Sequence, residues 1–292
     1  MDLLLQQLFN GVIIGSTYAL VALGFTLVLG TLDLLNFAHG ETIMACAYAA
    51  LLAALLAGLP FPLVALCAMV VGAVIAAGIY LASFRWVDKS VWTAPALSTV
   101  GVALLLQTGA SRIFGSDQRQ VPDALAEIQM QLGPVTIAAT HVVIILTTLA
   151  LMIGLHLLLT RTRLGMAMRA VSESNTVAAL LGIPVERTVA STLVISGALA
   201  GAAGALTSLV YHTITPFIGL NLLLKGMTGM VLGGLGNVYG AMLGGLLVGL
   251  LETLVVSYWS STYQDLVVFS VLILTLMFRP AGLLGAQIRE RA

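Results

Sequence analysis

Long apolar stretches, separated by short polar segments, follow one another along almost the whole chain. A helix that crosses a bilayer needs roughly 20 mostly apolar residues, and nine stretches approach or exceed that length. They lie near residues 8–29, 38–57, 61–84, 93–112, 138–160, 188–211, 217–235, 237–257 and 264–278. The pattern predicts an all-α polytopic membrane protein with about 8–10 transmembrane helices.

Composition excludes a soluble domain. Hydrophobic residues make up 60% and charged residues 8% of the 292 positions, whereas soluble domains have about 45–50% apolar and about 25% charged residues. The formal net charge is zero, and nothing in the chain suggests binding to nucleic acid. The expected surroundings are therefore membrane lipid.

The basic residues indicate how the chain is oriented. Nine of the 12 Lys and Arg residues fall in the polar segments 85–91, 161–187 and 279–292, and Lys225 lies within an apolar stretch. The opposite side carries only Arg112 and Arg119. The positive-inside rule therefore predicts that these three segments and the C-terminus are cytoplasmic, and nine crossings place the N-terminus outside.

A polar segment divides the chain roughly in half. We expect a single permease domain, 1–292, with pseudo-halves 1–114 and 136–292 joined by the external loop 115–135. Residues 28–40 faintly resemble residues 231–240. Because many transporters contain inverted repeats with broken helices, this echo favours an inverted-repeat permease.

The cytoplasmic loop 161–187 contains signals for a short helix. Ser174 or Asn175 can cap its N-terminus, Gly182 can end it, and Pro184 prevents its continuation. The helix would expose four apolar side chains, those of Val177, Ala178, Leu180 and Leu181. Such a surface fits a groove on another protein, and the alternative is an amphipathic helix on the lipid surface.

A run of polar residues, Asn36 to Thr42, interrupts a second apolar region. Membrane helices tolerate breaks where the freed backbone lines a cavity or is covered by protein. One hypothesis is a discontinuous helix beside the translocation path, with Asn36 and His39 as polar lining and Glu41 bonded to backbone or to a basic partner. The other is a helix-helix turn at the membrane boundary without ligand contact.

Charged and small residues inside the apolar stretches have mainly structural interpretations. Lys225 and Glu252 each need a partner or water in apolar surroundings; they either pair with each other or face a wet pathway. Glycines at four-residue spacing predict close helix packing. No phosphate-binding loop pattern occurs, and the histidines show no metal-ligand spacing.

Several blocks, in order along the whole chain, carry a family resemblance. They are Phe9 to Gly11, Gly15 to Leu20, Asn36 to Glu41, Ala178 to Ile183, Pro216 to Gly219, Val231 to Asn237 and Phe278 to Gly285. With these blocks the chain resembles the permease subunits of branched-chain amino acid ABC importers, the LivH-type members of the Liv family. Members of the family carry aliphatic and related amino acids, amides or urea.

The resemblance implies partners and a division of labour. The segment from Arg169 to Gly182 matches the coupling loop that contacts an ATP-binding subunit, although it lacks the generic Glu-Ala-Ala motif. We therefore expect two ATP-binding subunits, a second homologous permease and an extracytoplasmic substrate-binding protein. This chain would be no enzyme and hold no cofactor, because the partner subunits would bind and hydrolyse ATP.

The predicted function is alternating-access transport of branched-chain or related amino acids across the bacterial cytoplasmic membrane. The alternatives are an amide or urea importer of the same family and a stand-alone ion-coupled secondary transporter. The candidate coupling residues are Arg169, Glu173, Asn175, Val177, Ala178, Leu180, Leu181 and Gly182. The candidate substrate-pathway residues, mostly polar groups at breaks in apolar helices, are Tyr18, Asn36, His39, Glu41, Asn221 and Asn237.

Overall fold

The structure is a computed structural model that describes residues 2–87, 93–121, 129–132 and 135–285. These residues are mainly helical, as the apolar stretches predict. The helices are α1 (Asp2–Leu32), α2 (Ala38–Ala57), α3 (Phe61–Ile79, extended by a π-helical turn Tyr80–Arg85), α4 (Thr93–Phe114), α5 (Ala139–Arg161), α6 (Arg163–Glu173), α7 (Asn175–Leu180), α8 (Val185–Tyr211), α9 (Ile218–Gly233), α10 (Val238–Tyr258) and α11 (Gln264–Phe278).

Within the described residues, eight helices are long and apolar enough to cross a membrane. The ninth predicted stretch, 217–235, forms α9, which has only 16 residues and is shorter than a full crossing requires. α9 begins beside the start of α2, where Gly219 and Gly40 are in contact. It therefore starts inside the bundle, which explains its short length.

The polar segment 115–135 contains short strands that the sequence analysis did not predict. β1 (Arg119–Gln120) pairs antiparallel with β4 (Thr213–Ile214), and β2 (Gln129–Leu132) pairs antiparallel with β3 (Val135–Ala138). The strands lie at the same end of the bundle as the start of α1, because Thr136 N donates to Gln6 Oε1 at 2.9 Å. We call this the β1–β4 end.

The opposite end, which we call the α7 end, carries most of the described basic residues. There Leu283 N donates to Leu232 O, in the last turn of α9, at 2.8 Å, and Arg169 and Gly285 line the same cavity. The arginines at this end are Arg85, Arg161, Arg163, Arg169, Arg187 and Arg279, whereas Arg112 and Arg119 are at the β1–β4 end. Lys89, Arg289 and Arg291 lie outside the described residues.

The core forms around α1, which packs against α8, α9 and α10. Glycine spacing explains the closest approaches, as the sequence predicts. A Cβ at Gly15 would lie 2.7 Å from Leu246 O, and one at Gly229 would lie 2.8 Å from Gly245 Cα. No larger residue fits at these crossings without separating the helices.

The faint sequence echo does not place its two segments at opposite ends of the bundle. Gly30 and Gly236 lie side by side at the α7 end, since a Cβ at Gly30 would be 3.2 Å from Gly236 Cα. Equivalent parts of an inverted repeat would be expected on opposite sides of the membrane. The echo is therefore no argument for an inverted repeat, which stays a prediction.

Candidate functional site

The predicted short helix of the loop 161–187 exists as α7, and Ser174 caps its N-terminus. Val177 N donates to Ser174 Oγ at 3.3 Å. α6 precedes α7 as a separate helix. Thr162 caps α6, because its side chain accepts from Gly165 N at 3.1 Å. Two capped helices therefore present a fixed backbone at the α7 end, outside the membrane-spanning helices α5 and α8.

Gly182 ends α7 in the predicted manner. Its φ of +80° lies in the left-handed region, and Gly182 N donates to Ala179 O at 3.0 Å. Ile183 N donates to Ala178 O, also at 3.0 Å. This pair of bonds is a Schellman motif, which satisfies the last carbonyls of the helix. The structure thus confirms the helix-ending role of Gly182.

The exposed apolar surface of α7 is made by three side chains. Leu180 is 82% exposed, Leu181 74% and Val177 54%. Ala178 is only 1% exposed, so the prediction that it belongs to this surface was wrong. α7 packs against α6 and α8, and Ala178 lies on the inward face of that contact.

The polar coupling candidates flank this surface. Arg169, Glu173 and Asn175 are all exposed. Arg169 also lines a cavity of about 600 Å³, together with Asn237 and residues near the end of α1. The loop therefore combines an apolar patch with a polar margin, the usual arrangement of a protein-binding surface.

The polar run at residues 36–42 starts α2 within the bundle. Asn36 Oδ1 accepts from the N–H of Ala38, the first residue of α2, at 3.1 Å. The His39 ring is buried and approaches Gly24 so closely that a Cβ there would be 2.6 Å from His39 Cε1. Ser196 Oγ lies 3.4 Å from His39 Nδ1. α2 then runs back towards the β1–β4 end, where Tyr48 stacks on Phe114, so the segment joins two helices of opposite direction and is not a break in one helix. Its position beside a translocation path stays a prediction.

Glu41 is buried where α2 meets α9. A Cβ at Gly219 would lie 2.6 Å from Glu41 Oε2, an atom that has no hydrogen-bond partner among the described residues. The predicted bond to backbone or a basic partner is therefore not made by this oxygen. Glu41 is a buried carboxyl group held against a glycine.

A second polar cluster surrounds Lys225. Lys225 Nζ donates to Glu252 Oε1 at 2.7 Å and lies 3.3 Å from Asp265 Oδ1. It also donates to Tyr18 Oη at 3.4 Å, and that hydroxyl is 2.6 Å from Tyr211 Oη. Of the two alternatives for Lys225 and Glu252, the structure shows the pair. We call these five residues the Lys225 cluster; they join α1, α8, α9, α10 and α11.

The six pathway candidates do not converge on one site. Asn36, His39, Glu41 and Tyr18 are buried in the bundle, whereas Asn221 is exposed on α9. Asn237 caps α10 at the α7 end, accepting from Tyr239 N at 3.0 Å and donating to Leu284 O at 2.6 Å. Tyr211 and Asp265 were missed because nothing local in the sequence predicts contacts across distant helices.

The β1–β4 end contains a cavity of about 670 Å³ that reaches the Lys225 cluster. Glu252 and Tyr211 line it. Its walls come from α1, α5, α8 and α10, with further residues from the start of α11. The cavity has the size of an ordinary small-molecule site.

Comparisons with known proteins agree along the whole chain. A family model described as the permease component of the branched-chain amino acid transport system matches residues 7–276. The chain is 37% identical to LivH of Escherichia coli K12, a high-affinity branched-chain amino acid transport system permease protein, over 96% of this chain and 95% of that protein. BraD of Pseudomonas aeruginosa, with the same description, is 36% identical over the same shares.

A solved structure supports the fold. A chain of PsaBC from Streptococcus pneumoniae, determined in complex with Fab, is similar with a TM-score of 0.51 over 95% of this chain and 92% of that chain. Its sequence identity is 13%, so this similarity concerns the fold alone.

Proposed function

Because the chain belongs to the family of permease components of branched-chain amino acid transport systems, we propose that it is the membrane subunit of an ATP-driven ABC importer. It carries branched-chain amino acids inward across the cytoplasmic membrane by alternating access. Two ATP-binding subunits supply the energy, so this chain needs no cofactor. A second permease subunit and an extracytoplasmic binding protein complete the assembly.

The observation that carries this proposal is the exposed apolar surface of α7. Leu180, Leu181 and Val177 are exposed on a short helix, capped at both ends, that lies beyond the membrane-spanning segments. Apolar side chains at adjacent helical positions are a common way for a short helix to fill a groove on a partner. An ATP-binding subunit docked there moves α7, and α7 transmits that motion through α6 and α8, against which it packs.

The basic α7 end is proposed to face the cytoplasm, which places the described end of the chain, near Gly285, on that side. ATP-binding subunits then meet α7 where ATP is present. The β1–β4 end faces outward and receives substrate from the binding protein. Arg169, Glu173 and Asn175 form the polar margin of the docking surface.

The face of α9 that carries Asn221 is proposed to meet the second permease subunit along the substrate path. Asn221 is exposed beside Leu220 and Phe217. A primary amide facing hydrocarbon would leave its hydrogen-bonding groups without partners. Water in a path, or a polar group on a partner, removes that penalty. The path is then bordered by α9, and four buried candidates lie in the bundle behind it: Asn36, His39, Glu41 and Tyr18.

The test is reconstitution with the two ATP-binding subunits, the second permease and the binding protein. We expect leucine, isoleucine and valine to stimulate ATP hydrolysis and to accumulate in proteoliposomes only when ATP is supplied. Accumulation of acetamide or urea instead would identify the amide importer of the same family. Uptake by this chain alone, driven by an ion gradient, would contradict the proposal and identify a secondary transporter.

A further inference from the structure

The cavity at the β1–β4 end combines an apolar wall with a carboxylate. Six lining residues are branched aliphatic: Ile13, Ile14, Ile144, Leu209, Val210 and Val256. Glu252 also lines the cavity, although it is only 5% exposed. A buried carboxylate beside an aliphatic wall is suited to a ligand that carries a cationic group on a hydrocarbon body.

One of the two carboxylate oxygens of Glu252 has no hydrogen-bond donor among the described residues. Its Oε1 accepts from Lys225 Nζ at 2.7 Å, whereas Oε2 is buried and has no hydrogen-bond partner among the described residues. A carboxylate oxygen without a donor in such a place is destabilising unless something else supplies the donor. Because the described residues supply no donor to this oxygen, a ligand group in the cavity is a candidate donor.

The charges near Glu252 specify the sign of that group. Within the Lys225 cluster, one ammonium faces two carboxylates, those of Glu252 and Asp265. If all three groups are ionised, the sum is one negative charge. The described lining of the cavity includes no Lys or Arg side chain, and its two imidazoles, those of His141 and His212, add no charge in their neutral form. The cavity therefore attracts a cation and disfavours a lone anion.

We propose that this cavity is the site at which the permease receives its substrate, and that Glu252 Oε2 accepts a hydrogen bond from the substrate ammonium group. The aliphatic wall contacts the branched side chain, and the amides of Asn10 and Gln264 at the cavity lining donate to the carboxylate. This assignment rests on the proposed transport function and adds to it a residue that distinguishes amines from acids.

The experiment measures protection of a cysteine in the cavity by defined ligands. Ser257 lines the cavity, and Ser257→Cys is placed in a Cys67→Ser background, since Cys67 is exposed and Cys46 is buried. The assembled transporter in nanodiscs, without binding protein, is treated with a membrane-impermeant thiol reagent. Labelling at position 257 is followed by mass spectrometry with leucine, 3-methylbutan-1-amine or 4-methylpentanoate present.

Leucine and the amine should slow labelling, and 4-methylpentanoate, which lacks the ammonium group, should not. Glu252→Gln keeps an acceptor for Lys225 but removes the charge, so half-protection by leucine should require at least roughly tenfold more ligand. Asp265→Asn is the matched control. It removes a carboxylate at the same lysine, but Asp265 does not line the cavity. The leucine concentration for half-protection should therefore rise less than in Glu252→Gln.

The assignment of the site would be overturned by protection with 4-methylpentanoate or by no protection with leucine. It would also be overturned if Glu252→Gln and Asp265→Asn weakened protection by leucine equally. Leucine uptake by the same wild-type transporter with its binding protein is measured in parallel. Normal ATP-driven uptake with no ligand protection would overturn the cavity assignment alone. Absence of uptake in the complete wild-type system would instead count against the proposed function.

Discussion

The Lys225 cluster places charged side chains in apolar surroundings, whereas the surface of α7 exposes apolar side chains. In the cluster, charged groups lie among apolar helices, and Lys225 contacts Glu252, Asp265 and Tyr18 within the same chain. On α7, leucine side chains are largely exposed and have their surroundings outside the chain. The charges of the cluster are largely paired within the chain, whereas the exposed leucines can be covered only by a partner protein.

This difference separates residues whose partners lie within the chain from residues whose partner is another protein. Removal of a group from the Lys225 cluster leaves a buried charge without its partner, so stability should fall. Removal of an exposed leucine from α7 leaves nothing unpaired, so stability should hold. The two regions should therefore respond oppositely in measurements of stability and of assembly.

The largest effect on stability is expected for Lys225→Met. It leaves Glu252 buried without its 2.7 Å partner, and breaking a buried pair destabilises by roughly 3–5 kcal/mol. The measurement is unfolding of the purified assembly in mixed micelles. The double variant Lys225→Met with Glu252→Gln removes both charges and should recover much of the loss. A single variant as stable as wild type would show that the cluster does not stabilise the fold.

Ala178→Asp places a charge on the inward face of α7 and is compared with a charge placed on its outward face. Ala178 is buried, and an unpaired carboxylate there is penalised by several kcal/mol unless α7 detaches from α6 and α8. We expect the loop 161–187 to become sensitive to protease while the membrane helices stay folded. Leu181→Asp, at the exposed position three residues later, is the control and should leave proteolysis unchanged. Equal sensitivity of the two would contradict the burial of Ala178.

A smaller stability change is expected for Gly182→Val. The φ of +80° at this position is disfavoured by about 1–2 kcal/mol for residues with a Cβ, and a β-branched side chain fits it worst. The end of α7 should fray, which amide hydrogen exchange in this helix can detect. Gly182→Asn is the control, because asparagine tolerates left-handed backbone. Faster exchange in both variants alike would mean that bulk, rather than backbone conformation, is responsible.

The sequence predicted those features that depend on local pattern. Ser174, Gly182 and Pro184 located α7 because capping and helix termination are decided by neighbouring residues. The inward position of Ala178 was not predicted, since the side of a helix that packs depends on helices distant in sequence. For the same reason α9 was expected to be a complete span, although it starts beside α2 within the bundle.

The pathway candidates show the same limit. Asn36 was correctly placed between two helices because its side chain acts two residues away, on Ala38. Pairing of Glu252 with Lys225 was one of two alternatives that the sequence left open. The cavity beside Glu252 and the contacts of Tyr211 and Asp265 require the packing of five helices. Local sequence therefore located polar interruptions without showing which ones share a site.

The most direct test of the account is whether the outer face of α7 holds the ATP-binding subunits. Leu180→Asp with Leu181→Asp is compared with Met166→Asp, which changes an exposed apolar residue of α6 outside this face. Membrane insertion and thermal stability should match wild type in both. Co-purification of the ATP-binding subunits and leucine-stimulated ATP hydrolysis should fall at least roughly tenfold in the double variant only, because charge is introduced at the centre of an apolar contact. Normal co-purification and hydrolysis in a stably inserted double variant would contradict the account.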